Sequence, residues 1–415
     1  MIETTICILG AGPGGVAAAL QLDRLGIPCI LLDKAYFPRD KVCGDALSGK
    51  AVWAFNRIDE AIFNDFRFNE EAKIPCWGIH FYFENKRSLS FAFKPKIEQV
   101  DLSKEKPLGY VSKRLDFDHF LIKKVKESKH IRLIEGVDYQ KVSEEKDGLR
   151  ISGKNAEDLK AQLLIVANGA TSHIARQLGG LQIDKKHYCG AVRAYMKGVK
   201  NFNDYNFIEI HFLKDFMPGY LWIFPLANGQ ANVGVGMRSD HISQKRINLT
   251  QSLKKILKTD ERFKERFAEA TFEGPLKGFP LPLGSKKRTL SGNRFMLVGD
   301  AASLIDPLTG EGIGNAATSG FLAARHAKKA LEGQNFTAQN FKAYDKEVYQ
   351  YLWKELRISH QLQKAFNYPV LVQIIAAIAG RNKRFMEMVT SMFTDVDVRK
   401  KLLSPKFYFQ LLFNR

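Results

Sequence analysis

Residues 4–33 read TTICILGAGPGGVAAALQLDRLGIPCILLD, and this stretch decides the fold. Thr4 to Leu9 is mostly apolar and β-branched, the composition of a buried parallel strand. Gly10, Gly12 and Gly15 follow at GxGxxG spacing, and the alanine-rich run from Val16 to Leu25 predicts a helix. The first glycine permits a tight turn, the second lets the backbone approach a pyrophosphate, and the third lets helix and strand pack closely. The helix N-terminus then offers unpaired N–H groups and a positive dipole end to phosphates. Pro28 to Leu32 predicts a second strand, ending at Asp33, where a carboxylate accepts hydrogen bonds from ribose hydroxyls. Together these elements predict a dinucleotide-binding βαβ unit, with Gly10, Gly12, Gly14, Gly15 and Asp33 as its candidate contacts.

The 415 residues, 45% hydrophobic and 26% charged, have ordinary globular composition and supply a sizeable core. The net charge of +19 comes from 63 Lys and Arg against 44 Asp and Glu. It fits an anionic partner or a lysine-rich solvated surface equally. The cations fall in small clusters such as Lys123–Lys124, Lys286–Arg288 and Arg381–Arg384, with no long basic tail, so no nucleic-acid partner is expected.

The five cysteines (Cys7, Cys29, Cys43, Cys76 and Cys189) form no CxxC pair and no zinc-ligand spacing, so no metal site is expected. With no charged leader before the first strand, a reduced, cytoplasmic setting is expected. The longest apolar run, Val370 to Ala379, contains Gln373 and falls short of the roughly 20 residues that span a bilayer.

Three later segments extend the fingerprint. Gly10-x-Gly12-x-x-Gly15-x-x-x-Ala19-x-x-Leu22-x-x-x-Gly26, closing on Asp33, resembles the N-terminal signature of FAD enzymes. Arg114-x-x-Phe117-Asp118 resembles the arginine stretch that opens the second part of such domains. A short strand follows, ending at Gly136-Val137, and the resemblance places Val137 against the adenine. Leu163 to Arg176, LLIVANGATSHIAR, is a strand running into a glycine turn; Asn168-Gly169 stands where related flavin enzymes carry Asp-Gly. Most specific is Phe295 to Gly314, FMLVGDAASLIDPLTGEGIG. The resemblance implies that Asp300 holds the ribityl chain and that Gly310, Gly312 and Ile313 approach the flavin pyrimidine edge, where a helix dipole stabilises negative charge.

Two segments narrow the resemblance: FPRDKVCGDALS at Phe37–Ser48, and GYLWIFP at Gly219–Pro225 with Ala231-Asn232-Val233-Gly234 behind it. With GDAASLIDPLTGEGI they resemble the geranylgeranyl reductase family of FAD-dependent oxidoreductases, within the FAD-binding monooxygenase-like superfamily. The resemblance implies that Cys43, Gly44 and Ala46 lie beside the isoalloxazine and that Tyr220, Trp222 and Phe224 belong to the substrate sheet. It also implies hydride delivery from reduced flavin to carbon–carbon double bonds of a polyprenyl chain. Cys43 is either a participant (a proton donor, or a group that shapes the site) or a small buried residue. Tyr220, Trp222 and Phe224 share one face of a strand, and either wall a lipid channel or form plain core.

The fold class expected is α/β: a Rossmann-like FAD-binding domain, an inserted antiparallel β-sheet substrate domain and a C-terminal helical region. The FAD domain is expected in three pieces, 1–75, 107–180 and 285–345. Residues 76–106 and 181–284 are expected to form the antiparallel substrate sheet, including a hairpin from Trp77 to Phe93 that turns at Glu84–Arg87 and strands at Phe207–Phe212 and Gln230–Met237. Residues 346–415 read as helical with interleaved apolar and basic residues, ending in Phe407, Phe409, Leu411, Leu412 and Phe413. That end either packs on the catalytic domains or docks on the inner face of a membrane, where a lipid substrate is found.

An FAD-dependent monooxygenase or halogenase shares the flavin segments and is the enzyme alternative; GYLWIFP fits the halogenase Trp-x-Trp-x-Ile-Pro motif poorly. A prenyl-binding escort without redox chemistry is the non-enzyme alternative, opposed by the intact flavin segments. No cysteine follows Cys189, so an iron–sulfur cluster near the C-terminus has no ligands. No second GxGxxG follows a strand, which leaves NAD(P)H, a ferredoxin and free reduced flavin open as electron donor.

Overall fold

The computed structural model describes residues 1–368 except 69–72, 85–86, 95 and 155. The tip of the hairpin expected at Glu84–Arg87, the apolar run 370–379, the basic cluster 381–384 and the aromatic end 407–413 fall wholly or partly outside the described residues.

The N-terminal strand Ile2–Leu9 sits in the middle of an eight-stranded sheet, in parallel register with Leu159–Val166 on one side and Cys29–Leu32 on the other. Ile131–Ile134 extends the sheet beyond Cys29–Leu32, and Phe295–Leu297 extends it beyond Leu159–Val166, both in parallel. Ile6 to Leu9 are at most 3% exposed, as a central parallel strand covered on both faces requires. The short strand Ser291–Gly292 closes one edge, and the antiparallel hairpin Asp138–Glu145 with Gly148–Lys154 joins through Leu159–Val166.

Nine α-helices fall within the described residues: α1 Pro13–Arg24, α2 Gly49–Asn56, α3 Glu60–Phe68, α4 Arg114–Glu127, α5 His173–Gly179, α6 Ser239–Lys245, α7 Leu249–Thr259, α8 Ile313–Glu332 and α9 Ala338–Ala365. The sequence predicts the first helix from Val16, but it begins three residues earlier, at Pro13. Proline suits the first turn, because its φ is preset and its missing N–H has no partner there in any case. α8 lies along α1 at close range: a Cβ on Gly320 would collide with the carbonyl of Gly14. Two segments 300 residues apart in the chain thus become one two-helix layer over the sheet.

The second sheet has seven strands in the order Thr271–Pro282, Tyr188–Lys197, Gln230–Arg238, Gly219–Pro225, Ile208–Phe212, Gly78–Phe83 and Ser88–Ala92. The expectation of a wholly antiparallel sheet needs one correction, since Ile208–Phe212 runs parallel to Gly78–Phe83. That joint brings together two distant chain segments, so no tight turn fixes their relative direction. Side chains alternate along Gly219–Pro225. Leu221 and Ile223 pack with Leu249, Leu253 and Leu257 of α7, whereas Tyr220, Trp222 and Phe224 turn to the opposite face. A small sheet of Ala46–Leu47, Gly109–Val111 and Ile74–Cys76 lies at the junction.

Helix α9 buries Phe341, Tyr344, Val348, Leu352 and Leu356 at three- and four-residue spacing. Tyr344 donates its hydroxyl to the Leu297 carbonyl at 2.7 Å, fixing the helix to the first sheet. Its C-terminal turns reach the space between the two sheets, where Ile358, Leu362 and Phe366 line a cavity.

Candidate active site

A cavity of about 1470 Å³ runs from the C-terminal ends of the parallel strands to the inner face of the second sheet. At its nucleotide end the chain turns at Gly10, whose φ of +102° excludes a side chain; a Cβ there would lie 2.5 Å from the Ala167 carbonyl oxygen. Gly12 is the N-cap of α1, and no side chain caps this helix, so its first N–H groups keep their capacity for an anion. Gly10, Gly12 and Gly14 line the cavity. Gly15, a candidate contact from the sequence, does not. A Cβ on it would strike the Gly10 carbonyl, so its part is the close packing of helix on strand.

Asp33 faces the cavity and also organises it. Its two carboxylate oxygens accept the N–H groups of Ala11 and Ala35, each at 2.9 Å, and its carbonyl accepts the Val137 N–H. Val137 therefore lines the cavity beside Asp33. Arg114 lines it too, but its guanidinium is held by Asp118 through two hydrogen bonds of 2.7 Å, an i,i+4 fork on α4. Asp118 also takes a 2.8 Å bond from Arg39, whose other terminal nitrogen lies 3.7 Å from Asp33. Arg39 thus links Asp33, which lines the cavity, to the Asp118 carboxylate behind Arg114, a role that the sequence did not mark.

Further along, Asp300, Gly310, Gly312 and Ile313 line the opposite wall, with Lys41 3.5 Å from the Asp300 carboxylate. Glu311 accepts the Gly314 N–H at 2.6 Å at the start of α8 and the Ser48 hydroxyl at 3.3 Å at the start of α2. Burial raises its pKa above the ordinary carboxylate range, the Lys50 ammonium opposing. Asn168 lines the cavity with its Oδ1 buried and lacking a hydrogen-bond partner among the described residues. That orphaned acceptor, the uncapped α1 and the side-chain-free turn fit a dinucleotide carrying donors and phosphates.

Cys43, Gly44 and Ala46 line the middle of the cavity, opposite the aromatic strand. A Cβ on Gly44 would lie 3.1 Å from Phe224 and 3.7 Å from the Trp222 indole nitrogen, so the loop and the aromatic wall face each other across a narrow gap. Asn232, wholly buried, spans the junction. Its Nδ2 donates to the Cys43 carbonyl at 2.7 Å and to Asp45 Oδ2 at 2.8 Å, and its Oδ1 accepts the Trp222 indole N–H at 2.9 Å. Asp45, also wholly buried and with φ of +70°, accepts the Arg114 backbone N–H. Burial pushes the Asp45 carboxyl up to about 6, against the opposing pull of Asn232, Tyr195, Arg193 and Arg114.

Beyond this gap the cavity is apolar. Tyr220, Trp222 and Phe224 continue into Phe212, Phe81 and Phe83, and Phe366 at the end of α9 stacks on Phe212 at 4.9 Å. Tyr220 donates its hydroxyl to the Thr309 carbonyl, which ties the aromatic strand to the glycine-rich loop before α8.

The structure therefore brings together every candidate site residue except Gly15. It adds Arg39, Asp45, Asn232 and Glu311, which the sequence left unassigned. Asp45 and Asn232 sit inside quoted motifs, CGDA and ANVG, but only their mutual contact gives them a role.

The FAD binding domain family matches residues 3–359 of the chain. The chain is 30% identical over 329 residues to menaquinone reductase of Mycobacterium tuberculosis strain H37Rv, covering 77% of this chain and 75% of the relative. It is 26% identical to digeranylgeranylglycerophospholipid reductase 2 of Methanopyrus kandleri, covering 98% and 97%. Among solved structures, a geranylgeranyl bacteriochlorophyll reductase-like protein of Thermoplasma acidophilum superposes with a TM-score of 0.82 at 22% identity, over 99% of this chain and 98% of that one. With the nucleotide turn, the Asp300 loop and the aromatic strand all facing one cavity, the chain is an FAD-dependent oxidoreductase and belongs to the FAD binding domain family.

Proposed function

We propose that the enzyme reduces carbon–carbon double bonds of a polyprenyl chain carried by a lipid. The observation that carries this reading is the continuity of one cavity: a nucleotide cradle opens, across the Gly44–Phe224 gap, into a chamber walled by aromatic rings. Such a chamber binds a long unsaturated hydrocarbon through apolar contact and provides few polar groups to orient a small polar molecule.

Gly10, Gly12 and Gly14 with the α1 N-terminus would hold the pyrophosphate of FAD, Asp33 the ribose, Val137 the adenine edge and Asp300 the ribityl chain. Gly310, Gly312, Ile313, Gly44 and Ala46 would frame the isoalloxazine. FAD, once reduced by the external electron donor, would supply the hydride that one carbon of the double bond takes up. The other carbon needs a proton, and we assign it to the Cys43 thiol: the S–H bond breaks, a C–H bond forms and the sulfur keeps the electron pair. The Arg114 guanidinium neighbours that sulfur, and a proton from water restores the thiol once the product has left. Tyr220, Trp222 and Phe224 press the chain into the gap and exclude water from it.

The test is anaerobic. The purified holoenzyme is reduced with dithionite and mixed with a polyprenyl lipid, and flavin reoxidation is followed with mass analysis of the lipid. Reoxidation with a gain of two hydrogens per double bond supports the reading. A strict need for oxygen with a hydroxylated product overturns it. Cys43→Ala with normal flavin content is expected to lose roughly 10²-fold or more in turnover.

A further inference from the structure

The cavity reaches solvent between α2 and α9, where the exposed residues Trp53, Gln350, Tyr351 and Lys354 form part of its lining. At this mouth the Arg57 guanidinium stacks on Trp53 at 4.8 Å, on Tyr351 at 5.3 Å and on Phe321 at 4.6 Å. Arg57 and Phe321 also belong to the next depression on the surface, a groove of about 550 Å³ between α1 and α8. That groove is lined by Arg24, Arg57, Arg325, Lys328 and Lys329, with Glu332. The carboxylates paired with these cations are Glu347, on Arg325, and Glu332, on Lys328. Five cations against two acids leave a positive surplus directly beside the mouth of an apolar cavity.

Each part has a physical reading. Exposed Trp and Tyr at the edge of an apolar opening suit the headgroup level of a bilayer, where one side of the ring is apolar and the other wet. A cluster of Lys and Arg suits the negative surface potential of anionic lipids. The arrangement is unlike a binding site for one small anion, because the cations spread over two helices and α2 instead of converging on a point. It also lies outside the glycine and aspartate segments that frame the nucleotide cradle.

We propose that this face, the α1–α8 groove together with Trp53, Arg57 and Tyr351, docks the protein on an anionic bilayer so that the cavity mouth opens into the lipid. The inference rests on the reading of the cavity as a polyprenyl chamber. It adds where the chain enters and which surface meets the membrane. A lipid tail then passes from the bilayer between α2 and α9 to the gap at Gly44 without crossing water, and its headgroup stays at the cationic rim.

The test uses the full-length holoenzyme and sedimentation with vesicles of phosphatidylcholine alone or with one-third phosphatidylglycerol. Wild type is expected to bind the anionic vesicles, to be released by salt, and to leave neutral vesicles largely unbound. Lys328→Gln with Lys329→Gln removes two cations of the groove on a helix that tolerates glutamine. It is expected to weaken binding by roughly 25-fold, about fivefold per cation. Lys254→Gln with Lys255→Gln, an equal charge change on exposed positions of α7, is expected to bind like wild type. Equal binding by the groove variant and wild type, equal loss in the α7 variant, or no preference of wild type for anionic vesicles would each overturn the proposal. Turnover of a short, water-soluble prenyl alcohol is read in parallel. Its persistence in the groove variant separates a failed docking surface from a failed reductase assignment, since wild type inactive on every prenyl substrate sinks only the latter.

Discussion

Asn232→Ala is the sharpest test of the junction between the Cys43 loop and the seven-stranded sheet. The substitution deletes the partner of three buried groups at once: the Trp222 indole N–H, the Cys43 carbonyl and Asp45 Oδ2. A buried polar group left without a partner costs about 1–3 kcal/mol, so the indole and the carbonyl together account for about 2–6 kcal/mol. Asp45 escapes most of its share by holding its proton to higher pH, since its carboxyl already titrates near 6 and keeps the Arg114 backbone N–H. The expected loss is about 3–5 kcal/mol, measured by urea unfolding of the flavin-loaded protein. Turnover should fall as well, because Asn232 holds the indole nitrogen against the Cys43 loop. A second variant isolates the indole contribution. Trp222→Phe removes the N–H, so adding Asn232→Ala in that background should cost about 1–3 kcal/mol less than in wild type. A stability change below about 0.5 kcal/mol for Asn232→Ala, or the same cost in both backgrounds, would refute the hub.

Asp45→Asn tests the buried carboxyl through pH. A folded pKa of about 6 against an ordinary 3.8 means that the native state holds a proton the unfolded chain releases. The group's stabilising effect is therefore present below about pH 4 and is lost as pH rises through 6, on the order of 3 kcal/mol in all. The asparagine variant should flatten that part of the stability-versus-pH curve, and an unchanged slope between pH 4 and 6 would contradict the assignment. Gly44→Ala pushes a methyl to 3.1 Å from Phe224, and turnover should drop roughly tenfold with flavin content retained. A rate equal to wild type would show that the gap is not where the chain reacts. Gly10→Ala meets both a φ of +102° and the Ala167 carbonyl, and should abolish flavin retention, read as flavin absorbance per mole of purified protein.

The nucleotide half was legible because its signals are local. A β-branched run, glycines at fixed spacing and an acid at the end of the next strand all lie within residues 4–33, and each structural element there follows its residues to within three positions. The Asp300 and GYLWIFP segments were legible for the same reason. Asn232 and Asp45 were not, since their meaning lies in a contact between residues 187 apart, and neither type in isolation differs from a strand asparagine or a turn aspartate. Arg39 escaped notice because its partners, Asp33 and Asp118, come from different strand–helix units. The parallel joint at Ile208–Phe212 follows from where a distant hairpin docks, which alternation of side chains along a strand does not encode.

The seating of Gly320 on Gly14 also bears on the order in which the protein is made. The strand Ile2–Leu9 and its glycine turn leave the ribosome well before the helix that covers α1, which spans residues 313–332. Until then Leu164–Val166 lack their neighbour Phe295–Leu297 and present an open, apolar strand edge. A nascent chain, or a fragment cut before residue 295, therefore carries the fingerprint of a cofactor site without its second wall. It needs protection from aggregation rather than cofactor at that stage, and flavin should join only after the last third of the chain has closed the layer.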